Sequence, residues 1–207
     1  MPEAPAPGPS RRWRDALAVY LRPRVIGMLF FGFSAGLPFL LVFSTLTAWL
    51  RSAGVSHGSI GFFAWIGILY SIKVFWAPIV DRLPLPVLTR ALGKRRGWML
   101  AAQVTIVAGL FAMAAADPAA DLRLVALLAL LVAFASATQD ICIDAYRIEA
   151  VEEEFQASMA AIYITGYRLA ILAAGAGALY IADFHSWRAA YQAMGMLGFV
   201  GVAATLL

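Results

Sequence analysis

Six apolar stretches, each near the roughly 20 residues that a helix needs to cross a bilayer, alternate with short polar segments along the chain. They run over about 25–50, 59–80, 98–116, 122–146, 157–182 and 187–207. Short connections make neighbouring helices antiparallel, so the pattern predicts an all-α, up-and-down membrane bundle. One stretch breaks the pattern. Ser136 to Glu149, SATQDICIDAYRIE, closes the fourth run yet carries Gln139, Asp140, Asp144 and Arg147. Positions three and four apart share a helix face, so Ser136, Asp140, Asp144 and Arg147 form a single polar stripe. A charge at mid-membrane costs about 2.5–3.5 kcal/mol even on the lenient insertion scale, so such residues face a bundle interior, a partner or a water-filled path.

Composition changes the picture only by narrowing it. The 207 residues are 62% hydrophobic and 14% charged, an inventory that cannot cover a soluble domain with polar groups. The net charge of +4 comes from basic residues that flank apolar runs rather than interleave with aromatics, so they read as topology signals and not as a nucleic-acid surface. With a cytosolic N-terminus, the inner segments hold Arg11, Arg12, Arg14, Arg22, Arg24, Arg82, Arg90, Lys94, Arg95, Arg96 and Arg147, whereas the outer loops hold Arg51, Arg123 and Arg188. That asymmetry predicts this orientation. The Pro/Arg-rich tail, residues 1–24, is expected to be cytosolic and retained, because the apolar run after it is long enough to span. Cys142 is the single cysteine, and His57 and His185 lie far apart, so neither a metal site nor a cofactor is expected. No P-loop, HExxH or GxSxG is present, which argues against ATP-driven pumping and against an enzyme.

Two further basic residues fall inside predicted spans. Lys73 lies about 12 Å below the cytosolic boundary, at eight residues from Asp81 and 1.5 Å per residue, within reach of snorkelling to the headgroups. Arg168 lies about 16 Å deep, too far for easy snorkelling, and Asp140, Asp144 or a solute anion is its expected partner. Asp144 and Arg147 are also explained as an i,i+3 pair at a frayed helix end. Asp140, a turn deeper beside Gln139, is the stronger candidate for chemistry. Burial favours a protonated acid and a nearby cation favours the carboxylate, so moving the partner changes whether the proton stays on. In the first run, Gly32, Gly36 and Pro38 (GFSAGLPF) allow either close helix packing or a broken helix at a substrate site. The acidic run Glu149 to Glu154 reads as a solvated loop.

The second loop, APIVDRLPLPVLTRALGKRRG, places Asp81-Arg82 at a helix end ahead of the basic cluster Lys94-Arg95-Arg96. This resembles the loop between the second and third helices of the major facilitator superfamily, with Ala77 at the usual glycine position and extra residues between Arg82 and Lys94. The resemblance implies that Asp81 and Arg82, with Arg147 near the same face, lock one side of a transporter closed. GFSAGLP, WAPIVDR, GKRRGW, SATQDICIDAYRIE and GYRLAIL together are similar to the AmpG family of muropeptide permeases, over residues 25–207 but only for the N-terminal six-helix half of a twelve-helix bundle. Eukaryotic acetyl-CoA transporters share a similar fourth-span pattern. The likeness implies an inner-membrane, multi-pass importer of anhydro-muropeptides, driven by protons and serving peptidoglycan recycling, with a second six-helix half as partner. The last run stops with nothing polar after Leu207, as expected of half a larger bundle. Lys73, Gln139, Asp140, Asp144, Tyr167 and Arg168 would then line the proton and solute path, with Trp65, Tyr70 or Tyr167 for stacking on sugars. The competing expectations are a transporter of another anionic solute such as an acyl-CoA, and a non-transporting scaffold or sensor whose charges fix helix register.

Overall fold

The computed structural model describes residues 23–149 and 155–207. Most of the predicted tail and residues 150–154 of the acidic loop lie outside them. Six helical spans are long and apolar enough to cross a membrane: Val25–Ser52, His57–Phe75, Lys94–Ala115, Leu122–Glu149, Gln156–Phe184 and Trp187–Leu206. Local chemistry sets several of their starts. Ser56 accepts from the Ser59 amide, Asp121 from the Leu124 amide and Ser186 from the Ala189 amide, so these caps satisfy donors that a helix N-terminus leaves free.

The first span is the hub, packed on the fourth, fifth and sixth, while the third joins the fourth and sixth. Its contact with the fifth span is the closest, and glycine makes it possible. A Cβ on Gly32 would collide with the backbone of Tyr163, one on Gly36 would lie 2.6 Å from the Tyr167 carbonyl oxygen, and one on Gly166 would collide with the Leu29 carbonyl. The GxxxG of the first span is therefore a close-packing face, met by a glycine on its partner.

Three spans are interrupted, and the interruptions touch. The first breaks at Phe43, five residues after Pro38, into Pro23–Val42 and Ser44–Ser52. The buried Tyr191 hydroxyl donates to the Leu41 carbonyl at 2.8 Å, so that carbonyl at the break finds a partner without water. Thr45 donates to Ala174 within a π-helical turn of the fifth span, Ala173–Gly177. The Phe43 ring lies against Gly67, in a 3₁₀ turn of the second span, Ala64–Gly67. Irregular backbone at membrane depth needs cover or internal partners, and here the break of the first span meets those of the fifth and second through Thr45 and Phe43.

Coverage is uneven. In the best apolar window, 61% of the first span is buried but only 11% of the second and 22% of the fifth. Those two spans carry exposed apolar side chains along their length, among them Phe62, Trp65, Val74 and Phe75 on the second and Ile164, Leu169 and Leu172 on the fifth.

Candidate functional site

The second span reaches the polar stripe of the fourth through a second 3₁₀ turn, Lys73–Phe75. In 3₁₀ geometry side chains three apart eclipse, so Lys73 and Trp76 leave the backbone on one side. Trp76 donates to the Thr138 hydroxyl at 3.2 Å and lies 5.0 Å, ring to ring, from Phe134, which fixes the second span on the fourth. The Lys73 ammonium then sits 3.9 Å from the Asp140 carboxylate and 3.7 Å from that of Asp144. Its ammonium is thus directed at the two acids. Both distances exceed hydrogen-bond length, leaving room for rearrangement or a bridging water. Arg147 lies 3.7 Å from the other Asp144 oxygen, with its guanidinium 5.9 Å from the Tyr163 ring centroid.

An aromatic rim surrounds this cluster. Phe39 of the first span lies 5.8 Å from Tyr70 and 6.4 Å from Tyr167, and Tyr163 lies 6.2 Å from Tyr167. The Tyr70 hydroxyl faces Ser136, yet neither hydroxyl completes a hydrogen bond, and Asp140 Oδ1 is likewise buried without a partner. Buried polar atoms are normally paired, and an orphan costs about 1–3 kcal/mol. Three orphans around one ion cluster give it donor and acceptor capacity that the six spans do not use.

Two of the expected path residues lie elsewhere in the structure. Arg168 does not pair with Asp140 or Asp144; Lys73 does. Gly166 and Ala170 turn one side of the fifth span towards the first, and two residues along a helix rotate the side chain by about 200°. Arg168 is thereby exposed, in a stripe with Ile164, Thr165, Leu169 and Leu172, and without an ion pair among the described residues. Gln139 is not brought to the cluster either. It is fully buried, and its amide oxygen accepts from Ser34 of the first span at 3.0 Å, because its neighbour Asp140 takes the face towards the second span. Tyr167 does reach the rim.

At the loop end of the bundle, Asp81 reaches a neighbouring helix end, pairing at 3.0 Å with Arg95 at the start of the third span, while Arg82 is exposed with no ion pair among the described residues. Arg95 forks onto Glu149 through two bonds, Nε at 2.8 Å and Nη2 at 2.6 Å, so Glu149 is engaged and not merely solvated. Lys94 donates to the Asp81 carbonyl. The extra residues of the loop form a short helix, Pro86–Leu92, and the Gly93 backbone, at φ +83°, turns the chain from it into the third span, which brings Arg95 back over Asp81. Arg147 belongs to the Asp144 cluster. The missed Asp81–Arg95 pair had one signal in the sequence: an acid and a basic cluster at facing ends of consecutive predicted spans.

Exposed ion pairs contribute about 0.2–1 kcal/mol each, more when bidentate. Arg95→Gln is expected to destabilise the protein by about 1 kcal/mol, and Arg82→Gln by less than about 0.5 kcal/mol. Thermal unfolding of the two variants in detergent distinguishes them; equal losses would remove Arg95 from its central place in this clamp.

A six-span bundle with buried glycine contacts on one side, an ion cluster beside poorly covered spans on the other, and a clamped loop at one end is an all-α membrane architecture. Sequence comparison agrees. The Major Facilitator Superfamily pattern matches residues 83–207, and that of acetyl-coenzyme A transporter 1 matches residues 25–119. The chain belongs to the major facilitator superfamily. It is 38% identical over 192 residues to the anhydromuropeptide permease of Escherichia coli K12, which covers 92% of this chain and 38% of that protein. It is 36% identical over 167 residues to an AmpG transporter of Rickettsia felis, covering 80% of this chain and 40% of the relative. The chain thus spans about two fifths of the length of these relatives.

Proposed function

We propose that this chain is the N-terminal half of a secondary transporter that imports anhydro-muropeptides across the bacterial inner membrane by proton symport, feeding peptidoglycan recycling. The observation that carries the reading is the Lys73–Asp140–Asp144 cluster, with its unpartnered Tyr70, Ser136 and Asp140 atoms beside the least covered spans. The permease name of the E. coli relative suggests the solute. A second six-helix half covers the exposed faces of the second and fifth spans, places the solute between the halves near mid-membrane, and meets Arg168. Asp81 with Arg95 and Glu149 forms the cytosolic clamp, with Arg82 and Arg147 beside it, and the N-terminus lies in the cytosol.

The acetyl-coenzyme A transporter pattern over residues 25–119 favours a second reading, import of an acyl-CoA or similar anion. Right-side-out membrane vesicles carrying the complete protein and energised with a proton gradient test both. Labelled anhydro-muropeptide should accumulate, and a protonophore should collapse the accumulation. Uptake of acetyl-CoA in its place supports the second reading; uptake of neither leaves a scaffold or sensor.

A further inference from the structure

The ion cluster balances its own charge. Lys73 and Arg147 offset Asp140 and Asp144, all four linked at 3.7–3.9 Å. Among the described residues, the other titratable groups that face it are the Tyr70 hydroxyl on the second span and Tyr163 and Tyr167 on the fifth, with Phe39 of the first span beside them. Arg168 is turned away. An anion that enters this low-dielectric region adds an uncompensated charge, which is costly unless a cation is freed to meet it.

We propose, resting on the transport reading, that Lys73 is an exchanged cation: a proton taken up on Asp140 releases Lys73 to bind a carboxylate of the solute. Neutrality is kept at each step, since one proton and one carboxylate enter together. Asp140 is the acid suited to the exchange. One of its oxygens is buried without a partner, and its side chain is 20% exposed against 48% for Asp144, which keeps Arg147 when Lys73 leaves. Lys73 is suited to the move by its setting. It starts a single 3₁₀ turn, it sits beyond hydrogen-bond distance of both acids, and its flexible stem carries a point charge that Arg would replace with a rigid fork. The buried Ser136 hydroxyl, one helical turn before Asp140 and facing the Tyr70 hydroxyl, provides a further polar contact for the incoming group.

The complete protein in detergent, with labelled anhydro-muropeptide and its carboxyl methyl ester as probes, tests the exchange by equilibrium binding. Affinity for the free acid should tighten as pH falls, by up to about tenfold per pH unit, the limit for one linked proton. Asp140→Asn should bind tightly with little pH dependence. Lys73→Met should lose the preference for acid over ester, which wild type shows at low pH as a loss of about tenfold or more on esterification. Where Lys73→Met alone misfolds because it leaves two acids unpaired, Lys73→Met/Asp140→Asn restores neutrality and should show the same loss of preference. An acid-over-ester preference that survives removal of Lys73 overturns the exchange and leaves the transport reading intact. Failure of wild type and Asp140→Asn to bind the muropeptide at any pH overturns both.

Discussion

Asp140→Asn is expected to abolish accumulation of labelled anhydro-muropeptide against its gradient while leaving exchange of labelled for unlabelled solute across the membrane. The substitution keeps the volume of the side chain and removes its proton site. Asp140 lies 3.9 Å from Lys73, with a buried oxygen that no protein group satisfies, so its protonation state sets what Lys73 is attracted to. The amide leaves Lys73 held by Asp144 alone, at 3.7 Å, and a permanently neutral partner cannot transmit a proton gradient. Accumulation should fall to the level seen with a protonophore, with exchange reduced less than about tenfold, since binding and reorientation of the loaded carrier remain. Asp144→Asn should be milder, because that carboxylate is more exposed and also serves Arg147. Full accumulation by Asp140→Asn would remove proton coupling from this cluster.

The second large effect concerns folding. Gly166→Ala should strongly destabilise the half-bundle, because the added methyl would overlap the Leu29 carbonyl oxygen, with its carbon 2.8 Å and the Phe33 nitrogen 3.0 Å away. All of these are backbone atoms of the first span, so no rotamer change relieves the clash and the two spans must separate. Overpacking costs typically 1–3 kcal/mol, and a rigid backbone puts this site at or above about 3 kcal/mol. Gly27→Ala is the matched control. A Cβ there meets nothing within 4 Å, so alanine should stabilise the first span by up to about 1 kcal/mol through helix propensity alone. Thermal unfolding of both variants in one detergent provides the comparison. A Gly166→Ala midpoint equal to wild type would mean that the first and fifth spans are not in the close contact described above.

The polar core explains why Gln139 and its neighbour play different parts. Ser34 holds Gln139 between the first and fourth spans, and Thr205 donates to Gln103 between the sixth and third. Both bonds are buried, and each ties two helices across the bundle. Such bonds between spans are worth about 0.6 kcal/mol on average, so their value lies in fixing rotation as much as in stability. The rotation that Ser34 imposes on Gln139 aims Asp140 at Lys73.

Six spans, the polar stripe on the fourth and the glycine face on the first could be read from the chain alone, because each depends on local quantities: hydropathy over about 20 residues, a 3.6-residue repeat, and the space left by a missing side chain. Only the tertiary structure decided the partners. Lys73 and Arg168 are both cations within apolar helices, and depth alone favoured Arg168; a 3₁₀ turn aimed Lys73 at the acids, and packing of Gly166 and Ala170 turned Arg168 away. Arg95 and Glu149, 54 positions apart, met because a short helix and a glycine turn returned the chain over Asp81. Depth in a membrane follows from counting residues, whereas direction around a helix axis is settled by whichever neighbour packs most closely against it.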